Sequence, residues 1–314
     1  MIEADTQRPW RPQTKTSLSP GVSVALSVLV PVYNEEDAIT ATLDTIRSTL
    51  DAAGEKYELI VVDDGSTDRT EEVLGDYLET RPGSIRTIQH SSNSGYGSAL
   101  KTGIRAAVGE LIVITDADGT YPIDRIPDLV AALRGKDVAM VVGARNGKQV
   151  EYSSIRRIPK VFLKAYIDWL ARTDVPDFNS GLRVFRRDIA ERFFGIFPNG
   201  FSFTTTITLA CLTNRYPVVF VPINYSERVG NSKIQPVRDT LRFMQLIVRT
   251  GMYFAPLRVL GPVSAILFLM AMVSFGIDVA HWNMTQSTIL LFMFSLQLGV
   301  FALLADMIDK RMPK

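Results

Sequence analysis

The chain has 314 residues, enough for one large domain or two small ones. Its 34 Lys and Arg against 33 Asp and Glu leave a net charge of +1 with no basic tail, so nothing in the charge balance points to nucleic acid. The single cysteine, Cys211, excludes an intrachain disulfide, and with two histidines far apart in sequence, His90 and His281, it makes no convincing zinc site.

Residues 1–24 are rich in Thr, Ser, Pro and charge and lack the apolar core of a secretory signal; they read as a disordered tail. The apolar run LSVLVPVY, ending at Tyr33, predicts a strand. Asn34 then suits a helix cap, with Glu35 and Glu36 in the first turn, where the helix dipole favours them. Ile39, Leu43, Ile46 and Leu50 recur at helical spacing on one face. YELIVV (57–62) predicts the next strand, and Asp68 with Glu71 resembles a capping box for the following helix. IRTIQH (85–90) is a strand, YGSALKTGIRAAV (96–108) a helix and LIVIT (111–115) a strand; a helix near 124–134 and a strand at 138–144 follow. Such alternation, with fully apolar strands, predicts an α/β fold with a mainly parallel sheet covered on both faces. Ligands in such sheets bind beyond the carboxyl ends of the strands, where both DDGSTD (63–68) and DADGTYP (116–122) fall.

Asp116 and Asp118 stand one residue apart at the end of an apolar strand. If the chain stays extended there, both side chains point the same way. Two converging carboxylates repel, which a divalent cation relieves. An oxygen-only set suits Mg²⁺ or Mn²⁺. The competing reading is an Asx-turn, because Asp-Gly is a common turn dipeptide. GYGSAL, on a strand-to-helix junction with Asp116 about 20 residues on, imitates a dinucleotide fingerprint. Leu100 replaces its third glycine, so Gly95 and Gly97 read as a tight turn with close packing.

Two runs, 259–277 and 287–305, carry no charged residue and span 19 residues each. As helices they reach about 28 Å, close to the roughly 30 Å hydrocarbon core of a bilayer. Arg249 and Arg258 precede the pair, Lys310, Arg311 and Lys314 follow it, and the connection has no Lys or Arg. The positive-inside rule therefore places both termini in the cytoplasm. Before the first run, Arg238, Arg242 and Arg249 share one helical face and Leu241, Met244 and Val248 another, the pattern of a helix lying in the membrane interface or docked on the preceding domain.

Taken in order, PVYNEE (31–36), VVDDGSTD (61–68), NSGYGSALKTG (93–103), DADGTYP (116–122), GARNG (143–147), FNSGLRVFRR (178–187) and ERVGNSK (227–233) resemble a family-2 glycosyltransferase of GT-A fold, within it the dolichyl- or polyprenyl-phosphate sugar transferases. The QxxRW signature and the many spans of processive synthases are absent. The resemblance implies a Rossmann-like catalytic domain at 25–235, an amphipathic juxtamembrane segment at 236–256 and a transmembrane hairpin with a short tail at 257–314. It implies that Pro31, Tyr33 and Glu35 bind the donor nucleotide, that Asp63 or Asp64 accepts a hydrogen bond from the base, and that Asp116 and Asp118 hold Mg²⁺ or Mn²⁺ on the donor diphosphate. A Gln two positions after the pair is Thr120 here, which leaves a third metal ligand open. Arg145, Arg157, Arg228 and Lys233 match cationic positions for phosphate, joined by Ser180, Arg183 and Ser232; Arg156, Arg186 and Arg187 are further cations without an assigned role. Asp177 is either a residue that orients acceptor or sugar, or a loop carboxylate after Pro176. The implied activity is inverting transfer of a hexose from a GDP- or UDP-sugar to polyprenyl phosphate on the cytoplasmic face of a membrane, with no nucleic acid and with homo-oligomerisation left open. A glycolipid or saccharide acceptor, or a non-catalytic membrane adaptor that binds nucleotide-sugar, are the alternatives.

Overall fold

A computed structural model describes residues 24–81, 85–135, 137–145, 164–200, 202–226, 248–249, 251–253 and 255–311. The chain forms two compact units: residues 1–149, 176–207 and 217–232 in the first, and 150–175, 208–216 and 233–314 in the second.

The first unit is built on a seven-stranded sheet. Its strands are β1 (Leu26–Val32), β2 (Tyr57–Asp63), β3 (Ile85–Gln89), β4 (Leu111–Ile114), β5 (Met140–Arg145), β6 (Arg183–Arg186) and β7 (Val218–Ile223). The order is β3-β2-β1-β4-β6-β5-β7, with β6 antiparallel to both neighbours and the other pairings parallel. The mainly parallel sheet expected from the apolar strands is therefore present. It gains β6 and β7, whose sequences give no comparable alternation.

The helices of this unit are α1 (Ile39–Ala52), α2 (Thr70–Thr80), α3 (Tyr96–Ala106), α4 (Ile126–Arg134) and α6 (Arg187–Arg192); α5 (164–171) belongs to the second unit and α7 (Phe203–Thr213) is divided between the two. Ile39, Leu43, Ile46 and Leu50 on α1 are fully buried, as their spacing requires. Each such side chain contributes about 1.5–3 kcal/mol relative to exposure. On the sheet, Val28, Val30, Leu59, Val61 and Val113 complete that core.

Two expected helix starts differ in detail. Asn34 does not cap α1: it takes a left-handed φ of 56°, and α1 begins at Ile39. A β-to-α loop intervenes, and Asn34 spends its side chain on the neighbouring loop. Asp68 does serve the start of α2, accepting the N–H of Thr70 at 3.0 Å, but the second carboxylate there is Glu36, which accepts the N–H of Arg69 at 3.0 Å. The tertiary neighbour takes the place of the local Glu71.

The second unit contains α5 and two long helices, α8 (Pro256–Ala280) and α9 (Gln286–Arg311). Both are long and apolar enough to cross a membrane. Side chains along them are exposed on most faces, including Ile266, Leu269, Val273, Leu296 and Phe301. The few polar groups between the two are paired with one another: Asp278 accepts from Thr288 Oγ1 at 2.7 Å and from Thr285 N at 2.8 Å, and Ser264 Oγ donates to Ser295 O at 2.8 Å. In hydrocarbon, unpaired groups of this kind would be costly. The expected tail, for residues 1–23, and most of the juxtamembrane segment lie outside the described residues.

Candidate active site

The strand order reverses between β1 and β4, and the crevice beyond the carboxyl ends of these strands is where open α/β sheets bind ligands. The loops after β1, β2, β3 and β4 meet there, and hydrogen bonds between them fix its shape.

The β1 and β2 loops are stitched residue by residue. Asn34 N donates to Ser66 Oγ at 3.0 Å, Thr67 N donates to Asn34 Oδ1 at 2.7 Å, and Glu35 N donates to Thr70 Oγ1 at 3.0 Å. Pro31 lies within β1, paired with Val62, two residues before Tyr33. Of the three residues expected to meet a nucleotide, Tyr33 and Glu35 therefore sit on a braced loop and Pro31 on the strand that leads into it.

Asp63 and Asp64 separate clearly. Asp64 is consumed by the β3–α3 loop: its Oδ1 meets His90 Nδ1 at 2.7 Å and accepts Ser94 N at 3.0 Å, while Oδ2 accepts Gly95 N at 2.7 Å. Asp63 Oδ1 accepts Ser66 N and Ser66 Oγ, at 2.9 and 2.6 Å, but its buried Oδ2 has no hydrogen-bond partner among the described residues. Burial raises the Asp63 carboxyl above its ordinary value, against the Ser66 hydrogen bonds that lower it. An unpaired buried acceptor is costly, and a ligand donor would relieve it.

The glycines of the β3–α3 junction serve packing. A Cβ on Gly97 would lie 2.2 Å from Pro198 O, and Gly95, at φ 101°, faces Asn199 O. Ser98 N donates to that same Asn199 O at 2.9 Å. The start of α3 thus holds the protein's own carbonyl where a dinucleotide site would hold pyrophosphate.

The DADGT stretch departs from the extended geometry expected of it. β4 ends at Ile114 and residues 117–119 bend, with Gly119 at φ 68°, so strand alternation does not set the direction of the two carboxylates. Tertiary contacts do. Tyr96 Oη donates to Asp116 Oδ1 at 3.0 Å. A Cβ on Gly181 would stand 2.7 Å from Asp116 Oδ2, so only glycine fits beneath that carboxylate. Gly181 is held in turn, its N–H donating to Tyr121 Oη at 2.6 Å. Thr42 Oγ1 donates to Ala117 O, and Ser226 N to Thr120 O, anchoring the turn from α1 and from the chain after β7. Asp118 Oδ1 accepts Thr120 N and Thr120 Oγ1, at 3.2 and 2.6 Å, so the Asx-turn is real and Thr120 bonds the carboxylate it follows. Burial, then the charge of Asp116, raises the phenols of Tyr96 and Tyr121 well above their ordinary range.

Asp116 and Asp118 both keep part of their surface exposed. The donor chemistry fits a hard divalent cation, being carboxylate oxygen alone. Among the described residues, no group of three His, Cys, Asp or Glu forms a fuller set.

Arg145 and Asp177, expected in separate roles, are partners. Arg145 Nε and Nη2 bond Asp177 Oδ2 and Oδ1 at 2.7 and 3.0 Å, and Arg145 N adds a third bond. The Arg145 guanidinium also lies over the Tyr225 ring, 5.4 Å from its centroid. Burial opposes the charge on Asp177, but the Arg145 bonds outweigh it and hold the carboxyl below its ordinary value.

Arg183 is fully buried and grips backbone carbonyls of Ser180 and Thr204, which removes it from the phosphate-binding set. Ser180 is also fully buried. Arg186 pairs with Leu111, the first residue of β4, and so stands at the end of the strands opposite the crevice; Arg187 beside it bonds Ala107 O. Arg156, Arg157, Arg228, Ser232 and Lys233 lie outside the described residues. The residues that sequence reasoning passed over are Tyr96, Tyr121 and Gly181; all three sit inside the quoted motifs, but their contacts run between distant segments.

Residues 27–194 match the family described as Glycosyl transferase family 2, and residues 255–310 match the one described as GtrB C-terminal hairpin. A dolichyl-phosphate beta-glucosyltransferase of Dictyostelium discoideum is 28% identical over 253 residues, covering 76% of this chain and 77% of that protein. An undecaprenyl-phosphate 4-deoxy-4-formamido-L-arabinose transferase of Photorhabdus laumondii is 30% identical over 249 residues, covering 77% of this chain and 72% of its own. Among solved structures, glucosyl-3-phosphoglycerate synthase from Mycobacterium tuberculosis, in complex with Mn²⁺, UDP-glucose and phosphoglyceric acid, superposes with a TM-score of 0.56 at 18% identity, over 73% of this chain and 80% of that one. The stitched loops, the DADGT turn and the C-terminal hairpin thus belong to one lineage: the chain is a member of glycosyltransferase family 2.

Proposed function

We propose that the protein transfers a hexose from a nucleotide-sugar to polyprenyl phosphate at a membrane surface. The observation that carries the proposal is the pairing of two complementary features across the β1 crevice: the orphaned Asp63 Oδ2 beyond β2, and the Asp116–Asp118 turn beyond β4. Those strands flank β1, so the features lie about 10 Å apart at roughly 4.8 Å per strand. That separation suits a base at one end and a diphosphate at the other. The names of the relatives, acting on dolichyl phosphate and undecaprenyl phosphate, support a lipid acceptor. The two long apolar helices support a bilayer setting; cytoplasmic placement of both termini is the reading favoured by Arg249 and Arg258 before the pair and Lys310, Arg311 and Lys314 after it.

Asp63 would accept the imide or amide N–H of the base, with Tyr33 and Glu35 bordering it. Asp116 and Asp118 would hold Mg²⁺ or Mn²⁺, which when bound neutralises charge on the donor diphosphate. The acceptor phosphate has a second pKa of roughly 6, so it is already largely dianionic at neutral pH and needs no strong base. Its oxygen attacks the anomeric carbon, the bond to the nucleoside diphosphate breaks, and configuration inverts. Arg145, Arg157, Arg228 and Lys233 are the proposed cations for the phosphates. For Arg145 this requires sharing or releasing Asp177, which orients its guanidinium.

The test offers purified protein a panel of sugar-labelled UDP- and GDP-sugars with Mg²⁺ or Mn²⁺ and polyprenyl phosphate. Label that becomes extractable into organic solvent is expected with one nucleotide class. Label that stays in water-soluble product with every donor overturns the lipid acceptor.

A further inference from the structure

Arg145 is the last residue of β5, and β5 runs in the same direction as β4 across the antiparallel β6. Its side chain therefore leaves the sheet at the carboxyl end, where the crevice lies. β2 and β5 stand on opposite sides of β4. Along the crevice the order is Asp63, then the Asp116–Asp118 turn, then Arg145, with β4 and β5 about 10 Å apart at roughly 4.8 Å per strand. A cation on the side of the metal turn away from the base suits the acceptor phosphate rather than the nucleoside diphosphate.

A guanidinium that receives a phosphate has to keep its direction when the phosphate arrives. Asp177 alone does not secure this. Its carboxylate takes Nε and Nη2, the kind of in-plane N–H group that a phosphate oxygen also takes, so an incoming phosphate competes with it. Tyr225 meets the guanidinium differently. The guanidinium carbon lies over its ring, 5.4 Å from the centroid. An aromatic face attracts the cation and occupies none of its N–H groups. That contact persists whichever oxygen the guanidinium edge binds.

Tyr225 is itself held from three sides. Ile223, two residues earlier, pairs with Arg145 in the β5–β7 ladder, which brings the chain after β7 alongside that arginine. Ser226 N, next in the chain, donates to Thr120 O at 3.0 Å. The Tyr225 ring packs edge-on against Tyr121, with centroids 5.1 Å apart and planes at 70°. Tyr121 is buried and its Oη accepts Gly181 N, so it forms a fixed abutment. Packing against Tyr121 asks only for a bulky apolar side chain. It does not ask for a ring face against an arginine whose side chain is 31% exposed. We propose that Tyr225 is a positioning residue, holding the Arg145 guanidinium toward the acceptor phosphate independently of Asp177. The role rests on the reading of Arg145 as a phosphate cation.

The experiment uses the full-length protein in detergent, with the accepted nucleotide-sugar and polyprenyl phosphate, and compares wild type with Tyr225→Leu, Tyr225→Met, Tyr225→Phe and Arg145→Gln. Leu and Met fill the space without an aromatic face. Both are expected to raise KM for polyprenyl phosphate about tenfold, between the exposed and the desolvated range of a cation–ring contact. KM for the nucleotide-sugar, and Mn²⁺ affinity by electron paramagnetic resonance, should stay at wild-type values. Tyr225→Phe keeps the face and should restore the wild-type KM for the lipid. In the Arg145→Gln background, Tyr225→Leu should add nothing, because no cation is left to hold. The positioning role is overturned by a wild-type lipid KM in both Tyr225→Leu and Tyr225→Met, by Tyr225→Phe as impaired as they are, or by a penalty that persists beside Arg145→Gln. Failure of the underlying readings looks different. Arg145→Gln with a wild-type lipid KM removes Arg145 from the acceptor site, and wild-type protein that makes no lipid-linked sugar overturns the proposed function; the role of Tyr225 falls with either.

Discussion

Asp63 and Asp64 are adjacent in sequence and opposite in commitment: Asp64 binds three partners with both oxygens, whereas Asp63 keeps a buried Oδ2 with no partner among the described residues. Removing each should give a different phenotype. Asp64→Ala strands His90 Nδ1 and two backbone N–H groups, and is expected to cost about 3 kcal/mol of stability. Asp63→Ala is expected to weaken UDP or GDP binding by about ten- to a hundredfold, the loss of one charged hydrogen bond. Chemical denaturation and titration calorimetry on both variants decide this; nucleotide affinity unchanged in Asp63→Ala removes that residue from the donor site.

Asp63 also carries a pH signature. Its carboxyl is raised in the folded state, so the folded protein prefers the protonated form and loses stability as pH climbs from the ordinary value of 3.8 through the raised one. Asp63→Asn abolishes that loss. Without ligand it should be more stable than wild type at neutral pH, and the advantage should vanish near pH 3. A melting-temperature difference that does not change with pH contradicts the assignment.

The Arg145–Asp177 pair has the reverse sign. Asp177 is held below its ordinary 3.8, so its contribution is full above that pH and is lost as pH falls through the lower folded value. Asp177→Asn should destabilise by about 1.5–3 kcal/mol at neutral pH. The gap to wild type should narrow below pH 4, as followed by urea unfolding from pH 7 to pH 3.

Tyr96 and Gly181 hold Asp116 from two sides. Tyr96→Phe keeps the ring and deletes the donated bond, and is expected to lower Mn²⁺ affinity by about tenfold, the range seen when a ligand's supporting hydrogen bond is lost. Gly181→Ala forces a methyl against the carboxylate and should lower it further. Electron paramagnetic resonance of free Mn²⁺ reads both directly, without turnover; wild-type affinity in both variants would show that Asp116 does not hold metal.

Much of the fold could be read from periodicity. Four of the first five strands are largely apolar runs, β3 (IRTIQ) being the exception, and Ile39, Leu43, Ile46 and Leu50 mark one helical face, which burial confirms. β6 escaped because RVFR carries arginine at both ends, one of them buried. β7, VVFVPI, is a short apolar run of a kind that periodicity alone does not separate from a buried helix. α7 is rich in threonine, a poor helix former, and is held by burial instead. At the site, motif order located the carboxylates but not their partners. The choice between Asp63 and Asp64 depends on Ser66, His90 and Ser94, and the orientation of Asp116 depends on Tyr96 and Gly181, contacts that exist only once the loops are assembled.

The central claim is that Asp116 and Asp118 carry transfer of sugar to a lipid phosphate. Its most direct measurement is single-turnover transfer from the accepted nucleotide-sugar to polyprenyl phosphate, comparing wild type, wild type with excess EDTA, and Asp118→Asn shown to be folded. The account predicts loss of at least about a hundredfold in rate for both the chelated enzyme and the variant, with transfer by chelated wild type restored by Mg²⁺ or Mn²⁺. Undiminished transfer in excess chelator, with no bound metal by elemental analysis, would contradict it.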